Sequence, residues 1–342
     1  MARRSFRDVA VTVTQYVVAI AALAWVLRQV DLTNVWSLLT RLDVPVLVAL
    51  VAVTVIGLLG RFDTWYVLID RAGPATYRDA ASTDLIVNFV NQVLPSRLSG
   101  RVAAPFVLQR RTGMALSDAT AITALHTGMY AMCYGVISTV GLFVAVERVS
   151  APIALLLVLS TGLYFVAGGV VLLAGANLTV FDRLLDALGG VLRWLPIVGE
   201  SLAERATDLD GFTAESTATF REIVVQPRIW LRYAGGWAIM QVGAAGIRVW
   251  LLLGAFGASV EPAIFLPLFL VVAYSVTLLP LTPGGIGVTE ATATIVFVAL
   301  GVPGEVAASA IFLDRFLGVY LPALAGWYPS VSLEGLEVTD SS

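Results

Sequence analysis

The chain has 342 residues, of which 58% are hydrophobic and 13% are charged, and its mean hydropathy is +0.87. These values lie outside the usual range of soluble proteins and leave no room for a soluble catalytic domain, so they predict an integral membrane protein. All 21 basic residues are Arg and the acidic residues number 24, which argues against a nucleic-acid partner, because phosphates require a basic face.

Six apolar runs are long enough to cross a membrane. About 20 helical residues span the hydrocarbon core, which is roughly 30 Å thick. These runs predict an all-α integral membrane protein with about six full transmembrane helices. They cover residues 9–27, 44–69, 117–146, 152–174, 230–254 and 305–328.

Two further apolar stretches are interrupted near their centres. Residues 80–109 are broken around Leu94-Pro95-Ser96-Arg97, and residues 262–300 are broken around Pro280 to Gly285. A break that faces lipid leaves backbone groups unpaired, at a cost of several kcal/mol each, so it survives only against protein or a wet cavity. We therefore predict two re-entrant hairpins, which raise the hydropathy count to seven or eight segments.

Arginine placement predicts the orientation, because loops rich in basic residues stay in the cytoplasm. Arg3, Arg4 and Arg7 precede the first run, so the amino terminus is expected inside, and six spans return the carboxyl terminus to the same side. We expect a multi-pass protein of the cell membrane with both termini cytoplasmic. The predicted parts are a single polytopic membrane domain 1–330, with a first half 44–146, a second half 230–328 and an interfacial cytoplasmic segment 177–228, and then a disordered tail 331–342.

The two halves are related by a faint internal repeat. Residues 95–126 align without gaps with residues 283–314 at an offset of 188, with matches that include Gly113 with Gly301 and Ala119 with Ala307. The predicted threading lets the first hairpin enter from the cytoplasm and the second from outside. An inverted repeat with broken helices is typical of secondary transporters, which bind substrate near the membrane midplane.

The first hairpin carries a polar stripe. Asp84, Asn88 and Asn91 lie at i, i+4 and i+7, and Arg97 and Arg101 follow the break. One interpretation is that these side chains only satisfy one another and the broken backbone. The other is a wet cavity for an anionic headgroup, because Arg offers a planar fork suited to phosphate.

The second hairpin contains the sequence PGGIGVTE. Gly284, Gly285 and Gly287 follow Pro283 and permit positive φ, which would leave main-chain amides available to an anion. No Gly-Lys-Thr/Ser follows and no strand precedes, so an ATP site is not indicated. Glu290 is expected either to pair with an arginine such as Arg101 or to relay a proton.

Charged groups inside the spans are candidates for pairing or coupling, because an ionised side chain is costly in a bilayer. His126, the only histidine, and Asp314 occupy equivalent places in the repeat. Arg315 follows Asp314, while Arg61 and Arg248 lie within one residue of equivalence, and Asp63 is positioned to neutralise Arg61. His126 is either a titrating group or a hydrogen-bonded packing residue.

No Ser-His-Asp or Cys-His arrangement and no cluster with metal-ligand spacing is present in the sequence. Cys133 is alone, so a disulfide within the chain is excluded. We therefore expect no enzyme activity, no cofactor and no metal. A membrane-embedded transferase would have only His126, Glu290 and Asp314 as catalytic groups.

The chain resembles the family named after the transmembrane region of lysylphosphatidylglycerol synthetases, also called flippase-like membrane proteins. The resemblance is carried by Leu94-Pro95-Ser96-Arg97-Leu98-Ser99-Gly100-Arg101 and by Pro283-Gly284-Gly285-Ile286-Gly287-Val288-Thr289-Glu290. It implies movement of a lipid, such as an aminoacylated phospholipid or a polyisoprenyl-phosphate-linked sugar, between leaflets.

Two functions are therefore expected from the sequence. The first is a flippase-like transporter that moves an anionic or glycosylated lipid, with the headgroup held by the two hairpins. The alternative is a non-transporting membrane subunit that scaffolds a cell-envelope lipid glycosyltransferase or synthase. The expected partners are membrane lipids and such an enzyme.

Overall fold

The computed structural model describes residues 42–93, 98–176, 209–278, 282 and 285–334. Within these ranges the regular structure is helical and no strand is present. The prediction of an all-α membrane protein is thereby confirmed. The helices are α1 Val44–Ala72, α2 Tyr77–Val93, α3 Leu98–Thr112, α4 Leu116–Ala145, α5 Ala151–Ala176, α6 Leu209–Val224, α7 Pro227–Ala255, α8 Leu266–Tyr274, α9 Val288–Ala299 and α10 Gly304–Ser330.

Five of the described helices, α1, α4, α5, α7 and α10, are long and apolar enough to cross a membrane. They correspond to five of the six predicted spans, and the remaining one, residues 9–27, lies outside the described residues. A final helical segment, Trp327–Glu334, extends beyond residue 330, so helix occupies the first part of the predicted tail. Residues 335–342 lie outside the described range.

The interrupted stretches form pairs of shorter helices. The helices α2 and α3 pack against each other on either side of the first break, and α8 and α9 do so around the second. At the first break Asn91 Oδ1 accepts the Gly100 N–H at 3.1 Å, so the polar stripe supplies a backbone partner there. The chain between the arms, residues 94–97 and most of 279–284, lies outside the described residues.

Helices α1 and α7, which the repeat makes equivalent, cross each other in opposite directions. Asp63, late in α1, binds Arg232, early in α7, at 2.5 Å, whereas Gly57 lies against Ala244, further along α7. A Cβ added to Gly57 would lie 2.7 Å from the Ala244 Cβ, so the close crossing requires a residue without a side chain. The antiparallel contact is the geometry that an inverted repeat requires.

Each half contributes a hairpin arm to the other half. The arm α2 packs against the end of α10, and the arm α8 packs against α4. The ends of the two hairpins also match: Gly113 follows α3 with φ 71°, and Gly301 follows α9 with φ 92°. Both positions use the left-handed conformation that Gly adopts readily, so this repeated pair marks the same turn in both halves.

Helix α6 belongs to the predicted interfacial segment, whose residues 177–208 lie outside the described range. It lies beside the first turn of α4, where Thr219 donates to Asp118 at 2.5 Å and Ser117 donates to Glu215 at 3.1 Å. Arg221 Nε also donates to the Ala176 carbonyl, at the end of α5. The start of α4 and the end of α5 therefore share one side of the membrane with α6.

Candidate functional site

A cavity of about 330 Å³ lies between the two halves. The first half contributes residues from α1 to α4, the following helix α5 contributes Tyr164, and the second half contributes residues from α7, α8 with the 3₁₀ turn that follows it, and α10. The volume is at the lower end of the range for small-molecule sites, roughly 300–1,000 Å³.

The first ion pair of the cavity joins α1 to the first hairpin. Arg61 Nε donates to the Asp84 carboxylate at 2.8 Å, and both side chains are largely buried. Asp63, which follows closely in sequence, instead binds Arg232 near the surface. The expectation that Asp63 neutralises Arg61 is therefore wrong, because α1 directs the two side chains to different neighbours.

The second ion pair lies within the second half. Arg248 Nε of α7 donates to Asp314 Oδ1 of α10 at 2.8 Å, and Tyr274 of α8 donates its hydroxyl proton to Asp314 Oδ2 at 2.7 Å. All three residues are buried. Both carboxylate oxygens of Asp314 are thus satisfied, and the three helices meet at one carboxyl group.

Glu290 forms the third ion pair, at the start of α9. Its Oε2 accepts the Gly287 N–H at 2.7 Å, and its Oε1 accepts Arg315 Nε at 2.9 Å and the Tyr320 hydroxyl. The partner of Glu290 is therefore Arg315 rather than Arg101. The carboxylate is 1% exposed, and its bonds to Arg315 and Tyr320 hold the second hairpin against α10, while the Gly287 bond caps α9.

The amides of Gly285 and Gly287 in the second hairpin are not free. The Gly287 amide is taken by Glu290, and the Gly285 amide donates to the Thr282 carbonyl at 3.1 Å. The expectation that these two amides are available to an anion is wrong, because the helix cap formed by Glu290 and the tight turn before it use them. Gly285 and Gly287 have φ of 71° and 81°, so their predicted positive φ is confirmed.

Two π-helical segments border the cavity. Ile239–Ala244 interrupts α7 and Phe316–Tyr320 interrupts α10. In the second segment, Asn88 Nδ2 donates to the Val319 carbonyl at 3.0 Å, and Arg61 Nη1 donates to the Gly318 carbonyl at 3.5 Å. Such π segments are frequent at functional sites. The sequence had no signal for either.

An aromatic wall forms another side of the cavity. His126 stacks on Trp65 with ring centroids 3.9 Å apart, and Tyr233 donates its hydroxyl proton to the His126 carbonyl at 2.9 Å. Further along α4, Tyr134 stacks on Tyr164 of α5 at 4.4 Å. These contacts show His126 as a packed member of the wall. Sequence reasoning missed the other aromatic residues, although positions 126, 130 and 134 share one helical face.

The structure brings most of the predicted site residues to this cavity. Glu290, Gly285 and Gly287 are not among the lining residues, although Glu290 binds a lining arginine. Arg97, Pro283 and Gly284 lie outside the described residues. The predicted residues that line the cavity are Arg61, Asp84, Asn88, Asn91, Arg101, His126, Arg248, Asp314 and Arg315.

The charged groups at the cavity do not balance. Arg61, Arg248 and Arg315 each have a carboxylate partner, whereas no carboxylate among the described residues pairs with Arg101. Within the described ranges, four arginines at the cavity thus meet three carboxylates, which leaves an excess of one positive charge. A charged side chain inside a membrane is costly unless it has a partner, so Arg101 is the candidate for an anionic partner. In the described part of the chain, no group of His, Cys, Asp or Glu could hold a metal ion.

The model of one protein family, described as the lysylphosphatidylglycerol synthase TM region, matches residues 12–326. The chain belongs to this family. The match includes all five described transmembrane helices except the last residues of α10, and it includes both hairpins and the cavity between them. No curated protein matches the chain.

Membership of the lysylphosphatidylglycerol synthase TM-region family agrees with the five apolar helices, so this is a multi-pass membrane protein. The family description concerns a transmembrane region, and it associates the chain with lipid-related processes. Both sequence motifs that carried the resemblance lie inside the matched range. The suspected family is therefore confirmed.

Proposed function

We propose that this protein moves an anionic or glycosylated lipid between the leaflets of the cell membrane. The observation that carries the proposal is the excess positive charge of a cavity enclosed by two oppositely directed halves. Secondary transporters bind substrate at such an interface and alternate access by moving one half against the other. Because the family is associated with lipid-related processes, we take a lipid as the substrate.

In this proposal only the headgroup enters the cavity. A volume of about 330 Å³ holds a headgroup, while the acyl chains remain in the bilayer. Arg101 meets the negative charge, and Asn91 and His126 offer polar groups beside it. The polar contacts of Arg61 and Asn88 with α10 join the two halves and would break and reform as the cavity opens to each side.

The proposed orientation has both termini in the cytoplasm. Arg71 lies in the last turn of α1, and Arg110 and Arg111 lie in the last turn of α3. The helix α3 leads into the start of α4, which lies beside α6, and the late part of α1 contacts the start of α7, which follows α6. Arg221 and Arg228 add to the same side. Basic residues accumulate on the cytoplasmic face of membrane proteins, which supports this assignment.

The direct test is lipid movement by the purified protein in liposomes. Fluorescent phosphatidylglycerol in the inner leaflet should become accessible to an external quencher faster with the protein than without it. Arg101→Gln should slow this exposure by tenfold or more, whereas Arg232→Gln, which changes an arginine outside the cavity, should not. No acceleration for any anionic or glycosylated lipid, together with co-purification of a stoichiometric glycosyltransferase or lipid synthase, would favour a scaffold instead.

A further inference from the structure

The three ion pairs at the cavity share one geometry. Arg61, Arg248 and Arg315 each donate to their carboxylate through Nε, at 2.8, 2.8 and 2.9 Å. Among the described residues, no hydrogen bond joins an Nη atom of these arginines to a carboxylate. Each carboxylate thus binds the Nε side of its guanidinium group, and this contact fixes the direction of the two outer nitrogens, Nη1 and Nη2.

The outer nitrogens remain as donors. Arg315 Nη2 is buried and has no hydrogen-bond partner among the described residues, and Arg61 Nη1 has only the long contact to the Gly318 carbonyl. Buried polar atoms are normally paired, so an unpaired guanidinium nitrogen on a cavity wall indicates a missing acceptor. The Arg315 side chain is 7% exposed, so this donor without a partner is deeply buried.

Both carboxylates that line the cavity already have a cationic partner, and the acceptors left without a hydrogen bond among the described residues are Asp84 Oδ2 and Gln92 Oε1. Asp84 and Asp314 line the cavity, but each is held by an arginine, and Asp314 also accepts the Tyr274 hydroxyl. A headgroup that carries an ammonium group would find no carboxylate whose charge is not already neutralised by an arginine, and it would lie near four guanidinium groups. Like charges in such a low-dielectric site repel strongly, so the cavity disfavours a cation.

We propose that the cavity binds a phosphate group through the outer nitrogens of Arg315 and through Arg101, and that it excludes headgroups bearing an ammonium group. Guanidinium donors match phosphate oxygens in geometry and form charge-assisted hydrogen bonds. Asp314 and Glu290 are positioning residues that orient the arginines. The inference rests on the proposed function only in taking a lipid as the source of the phosphate.

Binding to the full-length protein in detergent tests this assignment without requiring transport. Trp65 stacks on His126 at the cavity, so tryptophan fluorescence can report occupancy. The probes are short-chain phosphatidylglycerol, its lysyl ester, and glycerol phosphate. Arg101→Gln removes the cation without breaking an ion pair of the described residues, Arg101→Lys keeps the charge but loses the planar fork, and Arg232→Gln is the matched control.

The expected result is that phosphatidylglycerol binds at least tenfold more tightly than its lysyl ester. Arg101→Gln should weaken that binding by roughly tenfold to a hundredfold, as expected for a lost charge-assisted hydrogen bond. Arg101→Lys should restore part of the loss, and Arg232→Gln should bind as the wild type does. Glycerol phosphate should bind to the same variants in the same order but more weakly, because the lipid chains add contact.

Equal or tighter binding of the lysyl ester would overturn the proposal. Binding of phosphatidylglycerol that is unchanged in Arg101→Gln would overturn it as well, and glycerol phosphate that binds as tightly as the lipid would contradict a lipid source. Phosphate binding that depends on Arg101, without lipid movement in liposomes, would support this site and refute transport. Lipid movement that is insensitive to Arg101→Gln would support transport and refute the site.

Discussion

Glu290 provides the sharpest test of how the second hairpin is held in place. Its buried carboxylate accepts bonds from Arg315 Nε, the Gly287 amide and the Tyr320 hydroxyl. Glu290→Ala removes both acceptor oxygens, and with them all three hydrogen bonds, and it leaves Arg315 as a buried charge without a carboxylate partner among the described residues. Breaking one partner of a buried ion pair costs about 3–5 kcal/mol, and we expect a loss of folding free energy in that range.

The measurement is equilibrium unfolding of the purified protein in lipid–detergent bicelles. Glu305→Ala is the matched control, because Glu305 lies exposed in the first turn of α10 and should cost less than about 1 kcal/mol. The double variant Glu290→Ala with Arg315→Ala removes both charges and should be at least about 2 kcal/mol more stable than the sum of the single losses predicts. A loss for Glu290→Ala no larger than that of the control would refute this account of the hairpin.

Three further predictions concern packing and polar contacts. Gly60→Leu should separate α1 from α7 and destabilise the protein by about 1–3 kcal/mol or more, because a Cβ there would lie 2.8 Å from the Gly236 carbonyl oxygen; an unchanged melting temperature in detergent would contradict the close crossing. Asn91→Ala should cost about 1–3 kcal/mol, because it leaves the Gly100 amide unpaired at the break, and faster hydrogen exchange of that amide would report it. Arg232→Ala should cost under about 1 kcal/mol at low salt and still less at high salt, since its pair with Asp63 is partly exposed; a large loss insensitive to salt would be inconsistent with this.

The helices and the repeat could be predicted from the sequence, because both depend on local properties. Apolar runs of about 20 residues identify spans, and breaks near Pro95 and Pro283 identify hairpins. The repeat was faint in sequence, yet Gly113 and Gly301 proved informative because a left-handed turn restricts the residue type. A position that needs positive φ keeps its glycine in both halves, whereas apolar positions accept many residue types and show little of the repeat.

The pairing of the charges could not be predicted, because it depends on how distant helices cross. Asp63 is two positions from Arg61, but the helix turns it towards α7, whereas Asp84 reaches Arg61 from the first hairpin. Glu290 similarly pairs across the second half with Arg315. Spacing in the sequence predicts which residues share one face of a helix, but only the packing of the helices shows which residues of other helices they contact.

The π segments were also beyond the reach of sequence analysis. Phe316–Tyr320 has no composition that distinguishes it from an ordinary transmembrane turn. Within it Gly318 leaves room for the Arg248 guanidinium, because a Cβ at that glycine would lie 2.6 Å from Arg248 Nη2. The aromatic wall, in contrast, was visible as the spacing of positions 126, 130 and 134 and could have been predicted.

The central claim is that a lipid headgroup occupies the cavity between the halves. Photolabelling tests it most directly, with a phosphatidylglycerol analogue that carries a diazirine on its headgroup, applied to the protein in liposomes. The account predicts labels on cavity residues such as Asn88, Thr127 and Gly318, reduced by excess unlabelled phosphatidylglycerol and by Arg101→Gln. Labels confined to the lipid-facing surface of α1, such as Val51 and Val55, would contradict it.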